Sequence, residues 1–264
     1  IMQHNVRVDD WKGGVMREPR KDWLTYNHRN EVGSYRRSFT VPAEWKGRQV
    51  MINFDGVDSF FYLYINGKYA GFSKNSRNLA QFDITPYLVN GENVVAVEVY
   101  RNSDASFLES QDMFRLPGII RSVSLTAKPL MQVRDLVATP DYDASFTNAT
   151  LRINAEVVNL NKKAVKGYTL SYSLFENELY SDNNKAVEGV GASLTIDQLQ
   201  PGVQQCFSLQ LNAGNKVKPW SAEKPYRYTL VGQLKDKKGK VVETFSTIVG
   251  FREIEIKQTA AKDD

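Results

Sequence analysis

Two carboxylates in one short stretch, Glu109 and Asp112 of Phe107-Leu108-Glu109-Ser110-Gln111-Asp112-Met113-Phe114-Arg115, form the one pair whose loop setting suits paired-acid chemistry. Glycoside hydrolysis needs such a pair about 5–10 Å apart across the sugar, one carboxyl giving a proton while the other attacks or activates water. The same residues fit a structural role equally, with Arg115 or Arg121 neutralising either acid. Other chemistry has few candidates. Two histidines, His4 and His28, and one cysteine, Cys206, exclude an internal disulfide and leave neither a His/Cys metal cluster nor a Ser-His-Asp triad credible. His28, between Asn27 and Arg29, reads as an exposed loop residue. No G-x-S-x-G elbow, phosphate-binding loop, dinucleotide fingerprint, H-E-x-x-H or C-x-x-C occurs.

These side chains need a frame. The 264 residues suggest roughly two domains of about 100–200 residues each. A composition of 42% hydrophobic and 24% charged residues is that of a globular protein and excludes disorder. The 34 basic and 30 acidic residues are spread along the chain, so the net charge of +4 marks no basic face and no nucleic-acid partner is expected. The N-terminus has neither a charged leader with an apolar core nor a cleavage site, and no apolar run approaches the about 20 residues of a spanning helix. Neither a signal peptide nor a membrane partner is therefore expected. A chain that opens on Ile1 fits an excised piece of a longer one, and one cysteine leaves the compartment open between cytoplasm and periplasm.

Hydrophobic residues alternate with period two almost throughout, the mark of strands with one buried face. Tyr35, Arg37, Phe39 and Val41 alternate with polar neighbours, as do Val50, Ile52 and Phe54, and both segments read as half-buried strands. Residues 60–65 run into Asn66-Gly67, the strongest short hairpin signal because both turn positions need positive φ. A second Asn-Gly at 90–91 opens a strand over 94–100 with Val95, Val97 and Val99 on one face. Another strand is expected over 119–125, and between them 101–118 is an aperiodic polar and aromatic connection of the kind that carries binding residues. Ala127-Lys128-Pro129 marks a boundary. After it come seven strands: around Val133 and over 150–159, 167–175, 192–197, 205–211, 227–234 and 241–249. Seven short strands with turn signals between them predict an immunoglobulin-like sandwich of the fibronectin type, without a disulfide. The expected organisation is a first domain over 1–128, a second over 131–254 and a tail over 255–264.

Five motifs then occur in order: Asn30-Glu31-Val32-Gly33-Ser34-Tyr35, Phe54-Asp55-Gly56-Val57, Tyr64-Ile65-Asn66-Gly67-Lys68, Phe82-Asp83-Ile84-Thr85, and residues 108–121 as L-E-S-Q-D-M-F-R-L-P-G-I-I-R. Together they resemble the sugar-binding jelly-roll domain that opens the family 2 β-galactosidases. Residues 219–228, P-W-S-A-E-K-P-Y-R-Y, and Val249-Gly250-Phe251-Arg252 resemble the end of that family's first immunoglobulin-like domain. The resemblance covers nearly the whole chain and is weakest over 1–29. Ala105 and Ser110 stand where Gly and Asp are common, Phe114 where Trp is, and Leu116-Pro117 where Met-Ser is usual.

The resemblance implies an all-β fold, a jelly-roll galactose-binding-like sandwich followed by the immunoglobulin-like one. It also implies an activity, retaining hydrolysis of terminal β-D-galactosides by two glutamates on a (β/α)₈ barrel that follows the G-F-R segment. Because the chain ends before such a barrel, it is expected to hold no catalytic residue and to be inactive alone. Glu109 then becomes a loop residue supporting Asp112. Asn30 matches an asparagine that hydrogen-bonds the galactosyl unit, and its amide suits sugar hydroxyls. Asp112 matches an aspartate that contacts the galactosyl group and helps hold sodium, a role that suits a hard oxygen ligand. Sodium and magnesium are implied for the longer protein and no ion for this part alone. The implied partners are a galactoside, the barrel of the same chain and further copies in a homo-oligomer. Other readings are a β-glucuronidase- or β-mannosidase-like relative, a free-standing carbohydrate-binding or adhesion protein, and a purely structural pair of sandwiches. Trp220 is expected to pack and not to stack on sugar. The 13 Tyr and 13 Phe are assigned to the two cores.

Overall fold

A computed structural model describes residues 21–22, 30–109, 116–179, 184–254 and 256. The chain divides into two compact units, Ile1–Lys128 and Pro129–Asp264.

The first unit contains β1 (Val32–Thr40), β2 (Gln49–Phe54), β3 (Val57–Asp58), β4 (Phe60–Ile65), β5 (Lys68–Ser73), β6 (Ala80–Asp83), β7 (Glu92–Tyr100), a one-turn helix α1 (Ala105–Leu108), β8 (Gly118–Ile119) and β9 (Val123–Lys128). A four-stranded antiparallel sheet in the order β1-β7-β4-β5 faces a three-stranded one, β6-β2-β9, and β3 pairs with β8. Alternation builds the core. Phe61, Leu63 and Ile65 of β4 and Val97 and Val99 of β7 meet Val50, Ile52 and Phe54 of β2, all nearly inaccessible to water. Each such side chain contributes about 1.5–3 kcal/mol by leaving water. The Phe54 and Phe61 rings lie 4.8 Å apart.

Three expectations need correction in this unit. β1 is not half-buried: among the described residues it is an edge strand paired only with β7, and every residue but Phe39 is exposed. The strand expected over 119–125 is two strands in different sheets, β8 and β9, parted at residues 120–122. The aromatic surplus does not all fill cores. Phe60, Tyr62 and Tyr64 alternate with the core residues of β4 and therefore lie on the opposite face of that sheet. There they form a chain of edge-on and tilted ring contacts with Tyr69, Phe72 and Tyr100 at centroid distances of 4.7–6.5 Å.

The second unit has the seven strands read from the sequence: β10 (Met131–Tyr142), β11 (Ala149–Asn159), β12 (Val165–Glu176), β13 (Ala186–Leu199), β14 (Gln204–Gly214), β15 (Tyr228–Lys235) and β16 (Val241–Val249). They form sheets ordered β10-β11-β14 and β13-β12-β15-β16. Leu151, Ile153, Ala155 and Val157 of β11 are fully buried against Leu170, Tyr172 and Leu174 of β12. The chain is therefore all-β, a jelly-roll sandwich followed by an immunoglobulin-like one.

Candidate functional site

Antiparallel pairing of β1 with β7 places Val32 opposite Tyr100, and the ladder continues past both strands. Arg101 N–H donates to the Glu31 carbonyl at 3.0 Å, and the Arg101 guanidinium pairs with the Glu31 carboxylate at 3.0 Å. One residue further, a side chain takes over from the backbone: Asn102 N–H donates to Asn30 Oδ1 at 3.0 Å. That bond fixes the amide's orientation, because a flipped amide would set two donors against each other. Asn30 Nδ2 is left buried with no hydrogen-bond partner. A buried donor without a partner costs about 1–3 kcal/mol, and a ligand acceptor would recover that cost.

The G and Y of the N-x-x-G-x-Y motif have a packing reason. A Cβ at Gly33 would come within 3.0 Å of the Tyr35 ring, so the glycine makes room for that ring. Asn30 is thus the member of the motif with a buried polar group left unpaired.

Around it, short segments are tied to one another. Ser103 N–H donates to Ser106 Oγ at 2.9 Å, and Ser59 Oγ lies 3.0 Å from both Ser103 Oγ and Ser106 Oγ, all three serines buried. Asp104 caps α1 by accepting from Ala105 N–H and pairs with Lys74 at 2.8 Å. The Lys74 hydrogen bond, with the helix-end N–H assisting, holds the Asp104 carboxyl below its ordinary value. Glu109 accepts from Ser76 twice, from its N–H at 3.1 Å and its hydroxyl at 2.5 Å. Arg77 pairs with Asp58 at 3.3 Å, and Arg121 donates to the carbonyls of Arg77 at 2.9 Å and Asp55 at 3.3 Å. Arg121 lies against Gly56, where a Cβ would stand 3.1 Å from its chain.

Glu109 is therefore a loop anchor. Its carboxylate is held by Ser76, while Arg121 serves backbone carbonyls. Asp112, Arg115, His4 and His28 lie outside the described residues. Asn102, Lys74, Ser76, Ser59, Ser103 and Asp104 were not singled out from the sequence. Asn102, Ser103 and Asp104 do fall in the 101–118 connection read as one that carries binding residues, whereas Ser59, Lys74 and Ser76 carry no such signal. Among the described residues no group of three or more His, Cys, Asp or Glu could hold a metal ion. The one polar atom Asn30 has to spare is an N–H donor, which does not ligate a cation.

The second unit has a groove of about 730 Å³ lined by Pro140, Asp141, Arg152, Trp220, Ile248 and Arg252, among others. Its tryptophan is already covered. The Arg252 guanidinium sits 4.8 Å from the ring centroid, and a Cβ at Gly250 would stand 3.1 Å from the ring. Trp220 packs against Arg252 and Gly250 of its own unit.

Fold and site together define a pair of β-sandwiches of which the first carries a polar end with a free, oriented amide donor. Residues 22–129 match the family model described as glycosyl hydrolases family 2, sugar binding domain, and residues 131–252 match that described as glycosyl hydrolases family 2. The chain belongs to glycosyl hydrolase family 2. The β-galactosidase of Priestia megaterium is 42% identical over 228 residues, which are 86% of this chain and 21% of that protein. The chain thus spans about a fifth of the length of the curated relatives it matches. Among solved structures, a Bacteroides uniformis β-glucuronidase superimposes with a TM-score of 0.74 at 26% identity, covering 84% of this chain and 26% of that one. A calcium-binding mutant of Bacteroides uniformis β-glucuronidase 2 shares the fold, with a TM-score of 0.73 at 24% identity over 83% of this chain and 26% of that one. No helix among the described residues is long and apolar enough to cross a membrane.

Proposed function

We propose that this chain is the substrate-shaping front of a retaining β-galactosidase whose two catalytic glutamates stand on a (β/α)₈ barrel elsewhere in the same protein. The observation that carries the reading is 42% identity to a β-galactosidase over 228 residues, a span that takes in residues of both units. The chain's own contribution is positioning. Asn102 N–H holds the Asn30 carbonyl, so Asn30 Nδ2 is turned to meet a galactosyl hydroxyl oxygen without reorienting. Such preorganisation lowers a barrier by removing the entropy of alignment before the reaction begins. Asp112 contacts the same galactosyl group and supplies one carboxylate to sodium. The ties from Ser76 to Glu109 and from Lys74 to Asp104 hold the approach to it. Among the described residues no group of three or more His, Cys, Asp or Glu could hold a metal ion, so sodium relies on Asp112 and on ligands beyond them, and magnesium belongs to the longer protein. The positioning by Asn30 does not pass through either ion. The homo-oligomer implied by the resemblance belongs to this reading, as does a compartment in the cytoplasm or periplasm.

A β-glucuronidase is the second reading, favoured by the solved structure at TM-score 0.74, although its 26% identity is well below that of the β-galactosidase. Calorimetry of the 264-residue chain with galactose and lactose tests the proposal. A lone donor without the barrel's share of the site binds weaker than about 1 mM. Binding tighter than that favours a free-standing carbohydrate-binding protein and overturns the reading. Glucuronide hydrolysis in place of galactoside hydrolysis, once the chain is joined to its barrel, selects the second reading.

A further inference from the structure

Two Asn-Gly pairs, Asn66-Gly67 and Asn90-Gly91, sit at one end of the β1-β7-β4-β5 sheet and share a neighbour, Asn93. Alike in sequence, they differ in freedom. Asn66 Nδ2 donates to the Tyr87 carbonyl at 2.9 Å and to Asn93 Oδ1 at 2.8 Å, and Asn66 Oδ1 accepts from Val94 N–H at 2.8 Å. Its amide plane is locked, and its Cγ cannot swing toward the Gly67 nitrogen. Asn90 is exposed, and neither of its amide atoms has a partner among the described residues. Gly91 is exposed too, holds φ at +87° and has no side chain to shield its N–H.

We infer that Asn90 is a site of spontaneous deamidation and that Asn66, likewise followed by glycine, is protected from it. After losing its proton to hydroxide, the Gly91 backbone nitrogen bonds to Asn90 Cγ. The bond from Cγ to Nδ2 breaks, the nitrogen leaves as ammonia, and a five-membered imide closes. Water then adds to either imide carbonyl and breaks its bond to nitrogen. One opening gives aspartate; the other gives isoaspartate, in which the main chain runs through Cβ. Overall one water is consumed and one ammonia released.

The isoaspartate product strains its surroundings in a defined way. The carbonyls of Val89 and Gly91, on either side of Asn90, both accept from Asn93 Nδ2 at 3.1 Å, and Val89 N–H donates to Asn93 Oδ1 at 2.9 Å. One extra main-chain atom between those carbonyls prevents a single amide from reaching both. Asn93 is fully buried and its Oδ1 also holds Asn66, so the loosening passes to the neighbouring hairpin.

The test is peptide mass mapping of the 264-residue chain kept at mildly alkaline pH, folded and in urea. In the folded chain the peptide holding residue 90 shifts from amide to acid mass at least about tenfold faster than that holding residue 66, because Asn66 reacts only through a local opening. In urea the two rates converge, and Asn90→Gln abolishes the fast conversion. Equal folded rates, faster loss at Asn66, or a silent Asn90 in a folded chain whose urea control reacts would each overturn the inference. The deamidated fraction, separated from the parent by charge and containing the isoaspartate product, unfolds at lower urea than the parent and than Asn90→Asp, which carries the charge without the extra main-chain atom. An unchanged midpoint overturns the link to Asn93.

Discussion

The strands β4 and β7 each end in an asparagine cluster at one extremity and in a serine and asparagine cluster at the other, and the two ends are finished differently. At the Asn66 and Asn93 end, both atoms of each amide are engaged: Asn66 binds Tyr87, Asn93 and Val94, and Asn93 binds Val89, Gly91 and Asn66. At the Asn30 and Asn102 end, one amide is half used, with Oδ1 pinned and Nδ2 buried but unpaired. The first arrangement stabilises the fold by satisfying buried polar groups. The second leaves a cost outstanding in the free protein that a ligand oxygen would remove. Residue type alone does not separate a structural asparagine from a binding one; the completeness of its bonding does.

The largest effect should come from the closed end. Asn93→Ala removes four hydrogen bonds at a position with no solvent access, and should lower unfolding free energy in urea by about 2–4 kcal/mol. Asn30→Ala frees only the Asn102 N–H and deletes an unpaired donor, so its cost should be no more than about 1 kcal/mol. Equal losses would erase the contrast between the two ends.

Acid should separate the ends next. The fold holds the Asp104 carboxyl below its ordinary value of 3.8, so its contribution is present above that value and is lost as pH falls through the lower, folded one. The closed end carries no titrating side chain among its bonded groups. Protection of Ala105 N–H against hydrogen exchange should therefore decline as pH falls below 3.8, while that of Val94 N–H holds. A parallel decline would mean that the two ends open together.

A smaller effect calibrates what an unpaired buried group means. Tyr172 OH is also buried without a partner, but it lies in the second core beside Phe245 and Gly232, and burial pushes its hydroxyl well above the ordinary value. Tyr172→Phe should leave stability unchanged or raise it by about 0.5–1 kcal/mol, measured by urea unfolding. A loss of stability would reveal a partner for that hydroxyl and weaken the use of unpaired atoms as markers.

Legibility from sequence followed the same physics. Strict alternation in β11 and β12 placed those strands and the second core correctly, since a period of two has one meaning when one face is buried, and the Asn-Gly turn after Ile65 placed the β4 hairpin. β1 alternates as well, yet it is exposed, because edge position is set by topology and leaves no mark on the strand itself. The consecutive aromatics Phe60, Phe61 and Tyr62 concealed which face was the core, and the outer aromatic cluster went unread. Asn30 was singled out only through resemblance. Its partner Asn102 lies 72 residues away, a pairing that a β1 and β7 ladder creates and that no local pattern announces.

The most direct measurement of the central claim is kcat/KM for a β-galactoside with Asn30→Ala introduced into the barrel-containing enzyme, beside its urea midpoint. Loss of one oriented donor should reduce kcat/KM about tenfold or more with the midpoint nearly unchanged. An unaltered kcat/KM in a folded variant would contradict the account, leaving the Asn30 amide a structural residue with an incidental unpaired atom.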